Sequence, residues 1–288
     1  MKQSDLHRRF ARVFDEVADQ YDAARRGYPE TLIDRAAVRG RLRSGSRVLE
    51  VGCGTGKLTA ALVARGFEVW AVDPGARMVE VARRRLGERG AQVRFNVAAF
   101  EDAEPAESAF DGVFSATAFH WPDPTMSWRE AASLLKPGGL LALLSHVGLH
   151  DEQSDALDRD FLDILTRHAP EVADSWGPPR DLDTIIAGAE TRQENASEVW
   201  DWVMGERHSL TVDEAVELFT DVEVDAVTSG FEETADEGLD FLRTTSLYLR
   251  IEPARRAAFE SDFHRIVSQA GGRTRFTVAT VLMTAYRA

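Results

Sequence analysis

The sequence predicts an α/β fold, a mostly parallel sheet with helices on both faces. Three observations carry this expectation. Apolar strands and amphipathic helices alternate from residue 47 to residue 145. The first strand runs directly into Gly52, Gly54 and Gly56 and then into a helix. The second strand ends in an acid, Asp73, roughly 20 residues past the glycines, the separation typical of a nucleotide-binding βαβ unit. Such alternation gives parallel strands buried on both faces, and ligands bind outside their carboxyl ends.

The elements follow in order. Phe10, Val13, Phe14 and Val17 recur at helical spacing, so residues 5–40 read as helices. Strands are expected at 47–51, 68–72, 93–96, 112–115 and 140–144. Helices are expected at 58–65, 76–86 and 127–135, the last closed by Lys136-Pro137-Gly138-Gly139. The pattern then changes. An amphipathic stretch at 155–166, a break at Trp176-Gly177-Pro178-Pro179 and the pair Trp200 and Trp202 read as a helical insertion over 146–215. The core, residues 1–145 and 216–288, resumes with a strand at 222–227, helices at 237–248 and 254–270, and a last strand at 275–286. Gly271-Gly272 ends the second of those helices.

Bulk properties narrow the function. The formal net charge of −14 repels a nucleic-acid backbone, and no basic run offers a local exception. No apolar run reaches membrane-spanning length and the start lacks a signal-peptide core, so a cytoplasmic protein without membrane attachment is expected. Cys53 is the only cysteine, which excludes an intrachain disulfide and cysteine-rich metal sites. It sits inside the glycine loop and reads as a packing residue. The histidines His7, His146, His150, His168, His208 and His264 show no H-E-x-x-H spacing, so no metal is expected. His146, leaving the fifth strand, is placed to line a pocket.

The glycine loop carries the chemistry. Glycines at a strand-to-helix turn let backbone N–H groups approach a ligand, and the following helix N-terminus offers unpaired donors. Their spacing fits neither the dinucleotide pattern G-x-G-x-x-G nor the P-loop G-x-x-x-x-G-K-[ST]. Asp73 is placed to accept hydrogen bonds from ribose hydroxyls; the alternative is that it caps the next helix. His120 follows the fourth strand, where an acceptor would lie. A neutral imidazole there deprotonates a hydroxyl, and a protonated one holds a carboxylate; alternatively it only shapes the loop.

The run Glu50-Val51-Gly52-Cys53-Gly54-Thr55-Gly56 resembles motif I of the class I S-adenosylmethionine-dependent methyltransferases. Further segments resemble the small-molecule branch that includes trans-aconitate methyltransferase. Residues 14–29, with Tyr21, Arg25, Tyr28 and Pro29, are similar to its N-terminal A-x-x-Y-x-x-x-R-P-x-Y-P segment, although Arg26 replaces the proline. Ala99-Phe100-Glu101, Phe119-His120-Trp121 and Leu242-Arg243-Thr244-Thr245-Ser246 resemble its later motifs. The resemblance implies a Rossmann-like, seven-stranded, mostly parallel sheet with the last strand antiparallel and the 146–215 insertion as a helical lid. It implies S-adenosyl-L-methionine as cofactor and S-adenosyl-L-homocysteine as product. Gly52 and Gly54 would approach the methionine part, with Glu50 beneath as a partner of its amino group or as support for the loop. Asp73 would take the ribose. Met78, Phe100 and Glu101 would border the adenine, and Ala116 would be a further cofactor-binding residue. Arg25 would pair with the cofactor carboxylate and Tyr21 would cover it.

The expected activity is methyl transfer to a small organic acceptor, most often at oxygen, by a monomer or homodimer. A cofactor-binding protein of this fold without methyl transfer is the alternative. A nicotinamide-dependent oxidoreductase would require the absent G-x-G-x-x-G.

Overall fold

The computed structural model describes residues 14–152, 155–173, 179–205 and 211–288. The expectations at Phe10, Val13, His7, Trp176, Gly177, Pro178 and His208 lie outside the described residues. Seven strands form one sheet: β1 (Arg47–Val51), β2 (Glu68–Asp73), β3 (Val93–Val97), β4 (Phe110–Ala116), β5 (Leu135–Gly148), β6 (Phe219–Glu233) and β7 (Thr274–Arg287). Their order is β3-β2-β1-β4-β5-β7-β6. β1 to β5 pair in parallel, and β7 runs antiparallel between β5 and β6. The expected seven-stranded sheet with an antiparallel last strand is therefore present.

The sheet forms because its central strands are apolar on both faces. Val48, Leu49 and Val51 of β1 are almost wholly buried, as are all five residues from Leu140 to Leu144 in β5. One face packs against α2 (Glu30–Arg39), α3 (Lys57–Ala64) and α4 (Ala76–Leu86), burying Leu32, Leu58, Leu62 and Val79. The other packs against α5 (Pro124–Leu134), whose Trp128 meets Phe119 edge-on with ring centroids 5.0 Å apart. Asp123 caps α5 by accepting from Thr125 N, and Pro124 takes the first helical position, where no N–H is needed.

The 146–215 stretch divides between two places. α6 (Asp155–His168) packs on α11 (Pro253–Gln269), with Ile164 and Leu165 in one cluster with Phe259 and Phe263. α7 (Leu182–Glu190) and α8 (Ala196–Val203) instead cover the β5–β7–β6 part of the sheet, with Ile185, Val199 and Trp200 against Leu143, Val281 and Met283.

Several boundaries differ from the sequence reading. The 5–40 segment is broken within its described part into a 3-10 turn (Phe14–Val17), α1 (Ala18–Ala24) and α2, because Gly27 and Pro29 interrupt it. β5 begins five residues early, since Lys136 to Gly139 form a bulge inside the strand rather than a loop before it. β6 and β7 are long because they pair with each other along nearly their full length. The single helix expected over 237–248 is two, α9 (Ala235–Leu242) and α10 (Ser246–Arg250). Thr244 and Thr245 turn their hydroxyls back onto the Phe241 and Leu242 carbonyls, and Thr245 then caps α10.

Trp200 lies in the α8 core with no exposure. Trp200→Ala is expected to cost about 3–5 kcal/mol of stability, seen as a lower midpoint in urea unfolding.

Candidate functional site

The three loop glycines have φ of +71°, +52° and +80°, a region that side-chain-bearing residues seldom adopt. Gly52 and Cys53 donate their N–H groups to the Val72 carbonyl at 2.8 and 3.0 Å, which ties the loop to the end of β2. A Cβ on Gly52 would meet the Ala118 methyl at 2.3 Å, and one on Gly56 would stand 2.9 Å from the Ala82 methyl. A Cβ on Gly54 would stand in open space. Gly54 thus presents bare backbone to a cavity of about 410 Å³ at the carboxyl ends of the strands.

Asp73 stands beside it. One carboxylate oxygen accepts from Gly54 N and the other from Gly75 N, both at 2.8 Å. Burial pushes its pKa up to about 6, against the opposing pull of those two N–H groups. The alternative capping role falls to a different residue. Asp15, on the N-terminal segment, accepts from Arg77 N at 2.7 Å and Met78 N at 3.1 Å, the orphan donors at the start of α4. Sequence reading passed over Asp15, and the only signal was its place in the 14–29 segment.

Tyr21, Arg25, Gly52, Gly54, Asp73, Met78, Phe100, Glu101, Ala116 and His120 all line this one cavity. Glu50 does not, because the pleat of β1 turns it with Val48 toward α3, away from Leu49 and Val51. It is buried beneath the loop, and burial lifts its carboxyl to about 8, with Asp73 adding to the rise and Thr59 offsetting part of it. Cys53 is buried, and desolvation raises its thiol far above the usual range, as suits a packing residue.

Arg25 is held on one side by Thr244. Its Nε donates to the Thr244 hydroxyl at 3.0 Å and an Nη to the Thr244 carbonyl at 2.8 Å. Its guanidinium lies over Phe241 and Tyr21, 4.5 and 5.1 Å from the ring centroids. Glu101 accepts from Asp123 N at 2.9 Å and so positions the start of α5. His120, 6% exposed, packs its ring at 4.7 Å from that of Trp121, which meets Phe14 edge-on.

The far wall holds Thr117, which the sequence reading did not single out, and His146, which it placed at a pocket. Thr117, after β4, has φ of +53° and is fixed by donating N–H to the Leu144 carbonyl and accepting from the Tyr28 hydroxyl at 3.0 Å. Tyr28 stacks face to face on His146, centroids 4.8 Å apart, and His146 Nδ1 lies 2.9 Å from the Thr280 hydroxyl. The roof comes from Phe241 to Leu247 and from Met204. Among the described residues the 146–215 stretch contributes only His146 and Met204 to the wall. No group of residues with metal-binding geometry occurs among the described residues, and none of the described helices is long and apolar enough to cross a membrane.

Residues 48–139 match the family model described as a methyltransferase domain. Similar curated proteins include uncharacterized methyltransferases of Mycobacterium tuberculosis and Mycobacterium bovis, 34% identical over 175 residues. That match spans 60% of this chain and 66% of theirs, just under two thirds of their length. The ubiquinone biosynthesis O-methyltransferase of Xanthomonas axonopodis is 47% identical over 103 residues, 35% of this chain and 43% of that one. A solved structure from Anaeromyxobacter dehalogenans, provisionally titled a type II methyltransferase, superposes with a TM-score of 0.59 at 22% identity over 91% of this chain and 97% of that one. The structural likeness shows the fold. The family match assigns a methyltransferase domain to residues 48–139, and S-adenosyl-L-methionine is the cofactor implied there. The bare Gly54 backbone and the buried acid beside it fit such a group.

Two buried acids with raised pKa values have a measurable consequence. The folded state keeps the Glu50 proton between pH 4.5 and about 8, where the unfolded chain has lost it. Stability is then greatest below that window and falls as pH rises through it; Asp73 adds a fall ending near pH 6. Melting temperature of the ligand-free protein should drop across this range, and Glu50→Gln should flatten the drop.

Proposed function

We propose that this protein is an S-adenosyl-L-methionine-dependent methyltransferase of the trans-aconitate methyltransferase-like branch, acting on a carboxylate or hydroxyl oxygen of a small organic acceptor. The observation that carries the reading is one cavity with two chemically different ends. Gly52, Gly54, Asp73, Met78, Phe100 and Glu101 gather at the β1–β3 end, and His120 faces them from the β4 end. The O-methyltransferase name of the Xanthomonas relative supports oxygen as the target.

When bound, the cofactor supplies a methyl group already activated on a sulfonium, so the protein's task is chiefly alignment. Gly52 and Gly54 admit the methionine part to bare backbone, and Glu50 supports the loop from below. Asp73 accepts from the ribose hydroxyls with the lone pairs that Gly54 and Gly75 leave open. Met78, Phe100, Glu101 and Ala116 border the adenine. Arg25, preset by Thr244, takes the cofactor carboxylate, and Tyr21 closes over it. His120 receives a proton from the acceptor or orients it.

The core comprises residues 1–145 and 216–288, and the 146–215 insertion shapes the acceptor pocket together with the α9–α10 turn. The protein works as a monomer or homodimer in the cytoplasm. No nucleic-acid partner is proposed, in keeping with the net charge of −14.

Titration with S-adenosylhomocysteine tests the cofactor half; no association would overturn the reading. Asp73→Ala should weaken that binding by about 1.5–3 kcal/mol, and unchanged affinity would remove the ribose assignment. Formation of S-adenosylhomocysteine with a panel of acceptors separates transfer from mere binding. His120→Ala should lower turnover more than cofactor affinity.

A further inference from the structure

We propose that the acceptor is an uncharged hydroxyl compound with an apolar body, seated at the β4–β5 end of the cavity with its hydroxyl on Nε2 of His146. This rests on the methyltransferase reading and narrows it by choosing hydroxyl over carboxylate.

The first argument is the wall. Met204, Leu242 and Leu247 line the roof of the cavity. A ligand body there exchanges water for apolar side chains, which favours an apolar molecule.

The second is charge. Among the described residues of the wall, Arg25 is the one arginine or lysine, and Asp73, Glu101 and Asp102 are its acids. Arg25 already spends two N–H groups on Thr244, and the remainder faces the cofactor carboxylate in the proposed arrangement. Arg26, the next cation in sequence, is engaged with Glu233 at 2.6 Å and lies over the Phe231 ring. A carboxylate acceptor would therefore be desolvated without a cation of its own, a costly arrangement.

The third is a pair of polar atoms awaiting a partner. His146 Nε2 and Ser145 Oγ are buried and have no hydrogen-bond partner among the described residues, and both residues line the cavity at the end of β5. The His146 ring is fixed by Thr280 on Nδ1 and by the Tyr28 stack. Burial, with Arg25 and Arg26 adding to it, lowers its pKa to about 4 against an opposing hydrogen bond to the Gly27 backbone, so the ring is neutral. A hydroxyl both donates and accepts and thus satisfies a neutral imidazole in either tautomer. A carboxylate, which accepts but does not donate, satisfies only the Nε2–H form.

The test uses the full chain saturated with S-adenosylhomocysteine and two matched series, para-alkylphenols and para-alkylbenzoates, followed by calorimetry. The phenols should bind at least about tenfold more tightly, as expected when one series buries an unpaired charge. His146→Phe keeps a flat ring against Tyr28 but removes both nitrogens, the Thr280 partner included. It should weaken phenol binding about threefold to tenfold while leaving S-adenosylhomocysteine affinity near wild type. His146→Gln, which returns a polar group near the Nε2 position, should recover part of the loss. Equal or tighter binding of benzoates, no binding of any phenol, or a His146→Phe variant that binds phenols normally would overturn the inference and leave the methyltransferase reading standing. Failure of S-adenosylhomocysteine itself to bind would overturn both.

Discussion

The closure of the glycine loop onto the end of β2 is the constraint on which the site depends. Val72 O holds Gly52 and Cys53, and the Asp73 carboxylate holds Gly54 and Gly75. These bonds convert a glycine-rich run into a fixed rim and satisfy its backbone N–H groups within the protein. The same bonds keep an acid buried beside an open cavity. Its desolvation is tolerated because two N–H donors face it, and a ligand hydroxyl would add a third.

A second set of contacts brings the N-terminal segment over that rim. Asp15 occupies the start of α4, Asp19 reaches Arg84 at 2.5 Å, and Asp22 reaches Arg85 at 2.5 Å and Lys57 at 3.5 Å. The exposed Asp19–Arg84 pair contributes little, on the order of 0–1 kcal/mol. The firmer hold is apolar, with Ala18 buried against Met78 and Val81 and with Phe14 and Tyr21 beside them. From the opposite side Thr244 grips Arg25, so the α1 end and the α9–α10 turn meet over one guanidinium. The cover is thus assembled from chain segments more than 200 residues apart, 219 for the Arg25–Thr244 bonds.

Much of this was legible in the sequence, for stated reasons. The helix at 76–86 and the strand at 47–51 were located to the residue, because apolar periodicity and flanking glycines agree there. Gly52, Gly54, Asp73 and Ala116 were legible on the wall because each sits at or just past a strand end, which the order of elements fixes. What stayed hidden depends on long-range packing. Nothing local in Leu242-Arg243-Thr244-Thr245 announces that two threonine hydroxyls will turn back on the helix and break it. Glu50 lies on the loop side in sequence, yet strand pleat turns it to α3. The Tyr28–His146 stack joins residues 118 positions apart, a pairing that only parallel strand order and the N-terminal turn bring together.

Thr117 carries a further implication. A β-branched residue at φ of +53° stores torsional tension, and it is held there by the Leu144 carbonyl and the Tyr28 hydroxyl. That peptide joins the sheet to the loop bearing Ala118 and His120, so it behaves as a wound spring between scaffold and wall. Thr117 thereby links Tyr28, and with it the His146 ring, to the loop that bears His120, so one residue bridges two sides of the cavity wall.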